Sequence, residues 1–397
     1  MQKLYEKSIR KVKDIRLNFI RYLFYEINWE DRLIGIKGAR GTGKTTLLLQ
    51  KLKKDSANYS ETLYISMDDV YFSKNSLVDF VDLFVKNGGE LICIDEVHKY
   101  PNWSQEIKNI YDDYQNLQVV FTSSSALEIH KGDYDLSRRA RIYHLNELSL
   151  REYIQLIYKK EFPVISMKDV LYHHTEISTL LTEQIKPVKL LKEYMQHGSY
   201  PFISEGKNKY YERIETVINL IIESDLPAIA EIEYSTIVKL KKLMFLLSES
   251  VPFKPNIAEL SRKVSTSRDL LLKYLHYLER ANLLKLLRRD TKGISQMSKP
   301  EKIYLNNPTL IHAISTDKAN EGNLRETFFM NQVNCKHQLT YPEKGDFKID
   351  KTYIIEVGGK SKTQEQISNL KNSFLALDNI EYGYKNKIPL WLFGFLY

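Results

Sequence analysis

Over the first 150 residues, short apolar runs alternate with longer amphipathic stretches. Five runs are apolar at nearly every position and only four or five residues long, which is typical of parallel strands buried on both faces. These runs are Leu33–Lys37, Leu63–Ser66, Leu91–Asp95, Gln118–Thr122 and Ile142–Leu145. Residues 1–30 read as one amphipathic helix that leads into the first strand. The pattern predicts an α/β core with a parallel five-stranded sheet.

The pattern changes beyond residue 150. Residues 151–235 have apolar positions at helical spacing throughout, which predicts a helical subdomain. Residues 236–320 predict three helices and then two short strands, the order of a winged helix-turn-helix. Residues 321–397 predict a small α/β domain with a helix near Arg325–Cys335 and strands at Tyr353–Val357 and Pro389–Phe395. With the core at 1–150, four segments are expected.

Composition excludes several classes of protein. Of 397 residues, 43% are hydrophobic and 27% are charged, which suits a globular chain with sizeable cores. Two cysteines cannot form a disulfide framework or a four-cysteine zinc site. The first residues lack the apolar stretch of a signal peptide, and no apolar run approaches the ~18 residues of a membrane span. We therefore expect a soluble, cytoplasmic protein with no membrane partner.

The positive charge is concentrated in one segment. The chain carries +8, whereas residues 236–305 alone hold 15 Lys and Arg against 6 Asp and Glu, which is +9, so the remainder sums to −1. Such a local excess favours contact with double-stranded DNA. The candidate contacts lie on the third helix and in the wing: Arg268, Lys273, Arg288, Arg289 and Lys292. The alternatives are a solvated basic face or a protein-interaction module.

The strongest motif follows the first strand and has the P-loop form GxxxxGK[ST]. Its glycines let backbone N–H groups surround an anion, and the helix that follows points its positive end at the same phosphates. The expected nucleotide-binding residues are Gly38, Ala39, Arg40, Gly41, Thr42, Gly43, Lys44, Thr45 and Thr46. Lys44 is expected to reach the β- and γ-phosphates, and the Thr45 hydroxyl to bind Mg²⁺.

A second motif completes the predicted site. The third strand ends in Asp95 and Glu96, about fifty residues after the P-loop. We assign Asp95 to the Mg²⁺ shell and Glu96 to the attacking water. The fourth strand ends in hydroxyls, and Thr122 or Ser123 is a candidate for reading the γ-phosphate. Because no NKxD tetrapeptide for guanine occurs, ATP is preferred to GTP.

Five stretches together resemble the AAA-type ATPases of bacteria and archaea: GARGTGKTT, LICIDEVHKYPNW, VVFTSSSALEI, LSRRARIYHLNELSLREY and HGSYP. Those ATPases are single chains with an ATPase core, a winged helix and a C-terminal domain related to restriction-endonuclease folds. The resemblance implies an additional-strand (ASCE) P-loop fold, with sensor hydroxyls at Thr122–Ser124. It also implies a nucleotide-sensing arginine, for which Arg139 matches best, and an adenine-proximal turn at Gly198 and Pro201.

The last segment carries residues in the order of a restriction-endonuclease-like core. Glu326 lies on the predicted helix, Asp346 follows a glycine, and Glu356 ends a strand. An active Glu-x-Lys arrangement places lysine at position 358, which is glycine here, and Lys360 lies roughly 7 Å further along the strand. We therefore expect a degenerate site with no nuclease activity, or at most a weak metal-dependent one.

These observations lead to one main hypothesis. The chain is expected to be a Mg²⁺- and ATP-dependent switch ATPase whose basic winged helix acts on DNA. One alternative is an ATP-regulated protein-interaction or DNA-binding regulator with little turnover. Another is a nuclease effector that uses the C-terminal domain. The sequence leaves open the oligomeric state and whether an arginine reaches the nucleotide from the same chain or from a neighbour.

Overall fold

The chain folds into two compact units, Met1–Asn146 and Glu147–Tyr397. The computed structural model describes residues 2–55, 60–124, 136, 138–227, 232–249, 255–290, 299–315, 319–368 and 370–397. The first unit corresponds to the predicted 1–150 core. The second holds the segments 151–235, 236–320 and 321–397 together, so their separation into subdomains stays a prediction.

A parallel five-stranded sheet forms the centre of the first unit. Its strands are β1 (Leu33–Gly38), β2 (Thr62–Ser66), β3 (Leu91–Asp95), β4 (Gln118–Ser124) and β5 (Arg141–His144). Their order is β2-β3-β4-β1-β5, and every pair is parallel. Strand β4 is inserted between β1 and β3, as expected for an ASCE fold. The α/β fold class predicted from the sequence is therefore confirmed.

The helices of the first unit are α1 (Gln2–Asp14), α2 (Leu23–Glu26), α3 (Lys44–Asp55), α4 (Leu77–Lys86) and α5 (Trp103–Asp113). Short 3₁₀ turns cover Val70–Ser73 and Val97–Lys99. Apolar side chains of these elements form the core, and all five residues of β3 are buried. This burial explains why β3 reads as a continuous apolar run.

The prediction of one helix over residues 1–30 is wrong. Helix α1 ends at Asp14, and an irregular segment separates it from α2. Side chains of α3 bond the carbonyl groups of that segment: the Gln50 amide donates to Arg16 at 2.9 Å and to Phe19 at 2.8 Å. These tertiary bonds replace the helical ones, although the apolar spacing continues.

The second unit is helical at its start and mixed towards its end. Its helices are α6 (Leu150–Tyr158), α7 (Met167–Tyr172), α8 (His174–Thr182), α9 (Pro187–His197), α10 (Tyr210–Leu220), α11 (Tyr234–Ser248), α12 (Ile257–Lys263), α13 (Arg268–Arg280), α14 (Pro308–Ile314) and α15 (Glu321–Val333). Side chains cap six of them: Ser149 in a full capping box, Ser166, Asn256, Ser267, Asn307 and Asn320. None of the described helices is long and apolar enough to cross a membrane.

Two sheets belong to the second unit. An antiparallel hairpin joins β6 (Leu284–Leu287) to β7 (Lys302–Leu305). A mixed five-stranded sheet has the order β12-β11-β10-β9-β8. Its strands are β8 (Leu339–Thr340), β9 (Phe347–Ile349), β10 (Tyr353–Gly358), β11 (Ser373–Leu377) and β12 (Lys387–Pro389).

The prediction of a strand at Pro389–Phe395 is wrong. Strand β12 ends at Pro389, and Leu390–Phe395 is a 3₁₀ helix whose six residues are all buried. Phe393 packs against Phe329 of α15, with ring centroids 4.8 Å apart. A segment buried on every side has no periodicity by which the sequence could distinguish strand from helix.

Candidate nucleotide-binding site

The P-loop connects the end of β1 to the start of α3. Gly41 and Gly43 have φ values of 84° and 98°, which residues with a Cβ rarely adopt. A Cβ at Gly38 would lie 2.4 Å from the carbonyl oxygen of Leu145. The Lys44 ammonium donates to the carbonyl groups of Gly38 at 2.9 Å and Ala39 at 3.0 Å. The loop is thus already curved, and its lysine is held on the loop's own backbone.

An arginine outside the motif supports the loop. The Arg21 guanidinium is buried and donates to the carbonyl oxygen of Thr42, and to that of Asn146 at 2.7 Å. Sequence reasoning missed Arg21 because no motif surrounds it. Its role follows from the irregular segment between α1 and α2, which the periodicity did not reveal.

Three hydroxyl groups converge on Asp95 at the end of β3. Thr45 donates to its Oδ2 atom at 2.7 Å and Tyr64 donates to the same atom at 2.8 Å, while Thr122 donates to Oδ1. The parallel register explains this meeting, because β2 and β4 flank β3 on either side. Burial, reinforced by the nearby Asp95 charge, raises the pKa of Tyr64 well above its ordinary value. The Tyr64 hydroxyl therefore keeps its proton at physiological pH and donates a hydrogen bond to the Asp95 carboxylate.

Sequence reasoning missed Tyr64 and gave Thr122 a different role. Tyr64 lies within an apolar strand, where a tyrosine is ordinarily a core residue. Thr122 is fully buried, and its hydroxyl also accepts the Glu96 backbone N–H at 3.0 Å. In this structure Thr122 therefore orients the two acids, Asp95 and Glu96.

Glu96 adopts a constrained backbone conformation beside two basic groups. Its φ is 55°, in the left-handed region that non-glycine residues rarely occupy. Its Oε2 atom lies 3.8 Å from Arg40 of the P-loop and 3.4 Å from Nε2 of His98. Backbone strain of this kind costs about 1–3 kcal/mol and occurs preferentially at functional sites. The arrangement places the Glu96 carboxylate at the P-loop.

The residues assigned to Mg²⁺ fit that ion. The Thr45 hydroxyl and the Asp95 carboxylate are oxygen ligands, which Mg²⁺ prefers, and they already touch each other. The Thr45 hydroxyl stands in the first turn of α3, next to the phosphate-binding backbone. Thr45 and Asp95 would therefore hold Mg²⁺, which would supply charge stabilisation to a bound phosphate.

Arg139, a further candidate from the sequence, lies away from this constellation within the first unit. Arg139 binds Asp112 of α5 with both Nε at 2.8 Å and Nη2 at 3.0 Å, and this contact lowers the pKa of Asp112. Arg139 precedes β5, whose Arg141 pairs with Ile34 near the start of β1. Arg139 thus lies at the amino end of the strands, whereas the P-loop lies at their carboxyl end, roughly 13 Å or more away along β1. Pro201 starts a 3₁₀ turn in the second unit.

The basic residues of the second unit fall into two groups. Arg268 and Lys273 are exposed on α13. Arg288, in contrast, forms a two-point ion pair with Glu279 at 2.9 and 2.8 Å, and Arg289 pairs with Glu301 at 2.8 Å. Lys292 lies outside the described residues. The described wing arginines are therefore used within the unit, whereas the α13 cations face solvent.

The three acids of the predicted degenerate nuclease site each contact a lysine, but the lysine at Glu356 is Lys362 and not the predicted Lys360. Glu326 and Asp346 both contact Lys302, at 2.8 and 2.9 Å. Glu356 contacts Lys362 at 2.6 Å, whereas Lys360 is exposed. The sequence favoured Lys360 because alternation along a strand puts residues 356, 358 and 360 on one face. The strand ends at Gly358, so that alternation no longer applies at position 360.

Comparison with known proteins agrees with the geometry of the first unit. Residues 30–154 match a family described as AAA domain, and residues 188–321 match a domain of unknown function (DUF8612). An uncharacterized protein of Methanocaldococcus jannaschii is 28% identical over 378 residues, which cover 86% of this chain and 79% of that protein. The match to the AAA domain family spans all five strands of the first unit's sheet, the P-loop, Asp95 and Glu96.

Three solved structures share local similarity at low identity. A katanin structure concerned with katanin self-assembly is 21% identical over 34% of this chain and 48% of its own, with a TM-score of 0.26. AMPPCP-bound DnaA from Aquifex aeolicus is 17% identical over 64% and 84%, with a TM-score of 0.26. The S. cerevisiae Hsp104–ADP complex is 15% identical over 71% and 41%, with a TM-score of 0.28. The chain thus spans less than half of the katanin and Hsp104 chains, and these likenesses bear on no activity.

The Tyr64 hydroxyl gives a first prediction. Tyr64→Phe removes one of the donors to Asp95 and leaves the Thr45 and Thr122 contacts in place, so nucleotide affinity is expected to change little. The phosphate-release rate is expected to fall about three- to tenfold, because a hydrogen bond to a charged group contributes roughly 1.5–3 kcal/mol and part is recovered by solvent. The control is Tyr114→Phe, which removes a similar bond to Asp82. Equal rates in the two variants would contradict this role.

Proposed function

We propose that the first unit binds Mg²⁺-ATP and hydrolyses it as a slow conformational switch. The observation that carries this proposal is the direct contact of the Thr45 hydroxyl with Asp95, at 2.7 Å, beside a formed P-loop. A loop for the phosphates and a carboxylate for the metal shell are thereby adjacent. Loss of phosphate release in both Lys44→Ala and Glu96→Gln tests the proposal.

Each side chain has one task in this proposal. Lys44 moves from the loop carbonyls to the β- and γ-phosphates, where its charge is balanced. Thr45 and Asp95 would hold Mg²⁺, which would supply charge stabilisation to the phosphates. Glu96 accepts a proton from the attacking water. The hydrogen bond that the Glu96 backbone N–H donates to Thr122 fixes the position of that residue.

Arg139 has a place in the proposal only through another copy of the chain. Its position at the amino end of the strands keeps it from its own P-loop. Its side chain is partly exposed, so it can contact a second copy of the chain. We therefore assign its nucleotide-sensing role to an assembly in which it faces the P-loop of a second copy. Pro201 stays a proposed neighbour of the adenine.

A second candidate function is DNA contact through the second unit. Helices α11, α12 and α13 followed by the β6–β7 hairpin have the element order of a winged helix, and α13 is its recognition helix in this proposal. The observation that favours it is the exposure of Arg268 and Lys273 near the start of α13. The alternative partner for the same surface is an acidic protein.

The double variant Arg268→Ser/Lys273→Ser tests this candidate. If both cations contact phosphates, the slope of log K against log[salt] for duplex DNA is expected to become shallower by about 1.8. Binding at moderate salt is expected to fall at least about tenfold. The matched control removes two exposed lysines elsewhere in the unit, in Lys186→Ser/Lys192→Ser. Affinity and slope unchanged in the α13 variant would favour the protein partner.

A further inference from the structure

A cluster of buried charges in the second unit lies outside the proposed ATPase and DNA-contact residues. It holds three carboxylates, Glu326, Asp346 and Glu356, and two ammonium groups, Lys302 and Lys362. Glu326 comes from α15, Glu356 from β10, Asp346 from the residue just before β9, and Lys302 from β7 of the hairpin. Buried charges are costly unless they are paired, so the balance of this cluster is informative.

Asp346 lies beside the strand that carries Glu356. The register of β9 with β10 ends at the pair Phe347 and Ile355, and Asp346 precedes β9. The Asp346 backbone N–H donates to the Ile355 carbonyl at 2.9 Å, and its Oδ2 atom accepts the Val357 backbone N–H at 2.9 Å. Burial and the nearby Asp346 charge both act to raise the pKa of Glu356. A cation beside the two acids favours their ionised forms.

The Lys302 side chain supplies that cation. Its ammonium donates to Oε2 of Glu326 at 2.8 Å and to Oδ1 of Asp346 at 2.9 Å, and the side chain is only 6% exposed. Burial acts to lower the pKa of Lys302, but the charges of Glu326 and Asp346 outweigh it and raise the pKa overall. Lys302 is thus a permanent charge that bridges two acids.

The Lys362 side chain occupies the space that a side chain at Gly358 would fill. A Cβ at Gly358 would lie 2.7 Å from both Cβ and Cγ of Lys362, so the lysine stem fills the space beside the glycine. Its ammonium reaches Oε1 of Glu356 at 2.6 Å. The absence of a side chain at Gly358 therefore lets Lys362, four residues later in the chain, reach Glu356.

The acids of the cluster outnumber its ammonium groups by one. With all three acids ionised, the cluster sums to −1, and burial raises the pKa of Glu326 and of Glu356. The Glu356 side chain is only 2% exposed, and its Oε2 atom has no hydrogen-bond partner among the described residues. Exchanging the single charge of Lys302 for a doubly charged ion brings the sum to zero. Carboxylate oxygens are also the ligands that Mg²⁺ and Mn²⁺ prefer.

We propose that Glu326, Asp346 and Glu356 form a cation site whose resident cation is the side chain of Lys302, and that a divalent cation binds there once this ammonium is removed. In the described part of the chain, no three His, Cys, Asp or Glu side chains are arranged to hold a metal ion. In this proposal the Lys302 ammonium closes the site to metal, and its two ion pairs tie strand β7 to Glu326 and Asp346.

Mn²⁺ binding to the nucleotide-free full chain tests this proposal, with free Mn²⁺ followed by electron paramagnetic resonance. Lys302→Met is expected to bind one Mn²⁺ per chain at least about tenfold more tightly than wild type. Adding Asp346→Asn to Lys302→Met is expected to abolish this gain. The control is Lys285→Met, a half-buried lysine on the partner strand β6, which is expected to behave as wild type.

Thermal unfolding gives an independent reading. Lys302→Met leaves two buried acids without their cation, so its unfolding midpoint is expected to fall and to rise again with Mn²⁺, whereas wild type does not respond. A folded Lys302→Met that binds Mn²⁺ no better than wild type would overturn the proposal. So would a wild-type Mn²⁺ site that is lost in Asp346→Asn alone. If Lys302→Met does not fold even with Mn²⁺, Lys302→Gln is measured, and its failure to gain Mn²⁺ binding would equally overturn it.

Discussion

Replacing Lys44 with alanine is expected to weaken ATP binding about 10- to 100-fold and, because the same ammonium also stabilises the phosphates during transfer, to stop phosphate release. The Lys44 ammonium donates to the carbonyl groups of Gly38 and Ala39 and so lies on the backbone of the P-loop itself. A charge-assisted hydrogen bond contributes roughly 1.5–3 kcal/mol, which corresponds to a loss of about 10- to 100-fold in affinity. A fluorescent ATP analogue titrated in the presence of Mg²⁺ measures this loss.

The control for this experiment lies on the same helix. Lys54 is exposed near the end of α3, and Lys54→Ala removes the same charge from the domain without touching the loop. Its affinity for the analogue is expected to equal that of wild type. If Lys44→Ala binds as tightly as Lys54→Ala, the phosphates do not lie in this loop.

The second large effect is expected from Glu96→Gln. This substitution keeps the size of the side chain and the hydrogen bond from the backbone N–H to Thr122, but it removes the proton acceptor. Phosphate release is expected to fall about 10²- to 10⁴-fold, which is the usual contribution of a general base. ATP affinity is expected to stay within a few-fold of wild type, so the variant accumulates in the ATP-bound state.

A matched variant separates this effect from a general loss of charge. Glu90 is exposed at the beginning of β3, at the other end of the same strand. Glu90→Gln is expected to hydrolyse ATP at the wild-type rate. A Glu96→Gln variant that also retains that rate would remove Glu96 from the mechanism and leave the water to be oriented by another group.

The core sheet could be predicted from the sequence because its strands are short and buried on both faces. The observed limits of β1, β2, β3, β4 and β5 differ from the predicted ones by one or two residues at most. The P-loop could be predicted because its glycines provide the positive φ angles that the loop needs, and they occur at a fixed spacing in the sequence. Asp95 and Glu96 follow from the end of a buried strand.

The rest of the site depends on contacts between residues that are distant in sequence. Tyr64 reaches Asp95 only because β2 lies beside β3, and Arg21 supports the P-loop only because residues 15–22 leave the helical path. No local pattern distinguishes such residues from core or surface ones. Lys302 is similar, since a lysine on a short strand reads as a solvated wing residue until α15 is placed beside it.

Phosphate release by the full-length chain tests the central claim most directly. Wild type and Lys44→Ala are purified in parallel, and phosphate production from ATP is followed in Mg²⁺ and then after addition of EDTA. The structure predicts release by wild type that stops when EDTA removes the metal, and no release by Lys44→Ala. Equal release from the two proteins, or none from wild type under any of these conditions, would contradict the claim that the first unit is a Mg²⁺-dependent ATPase.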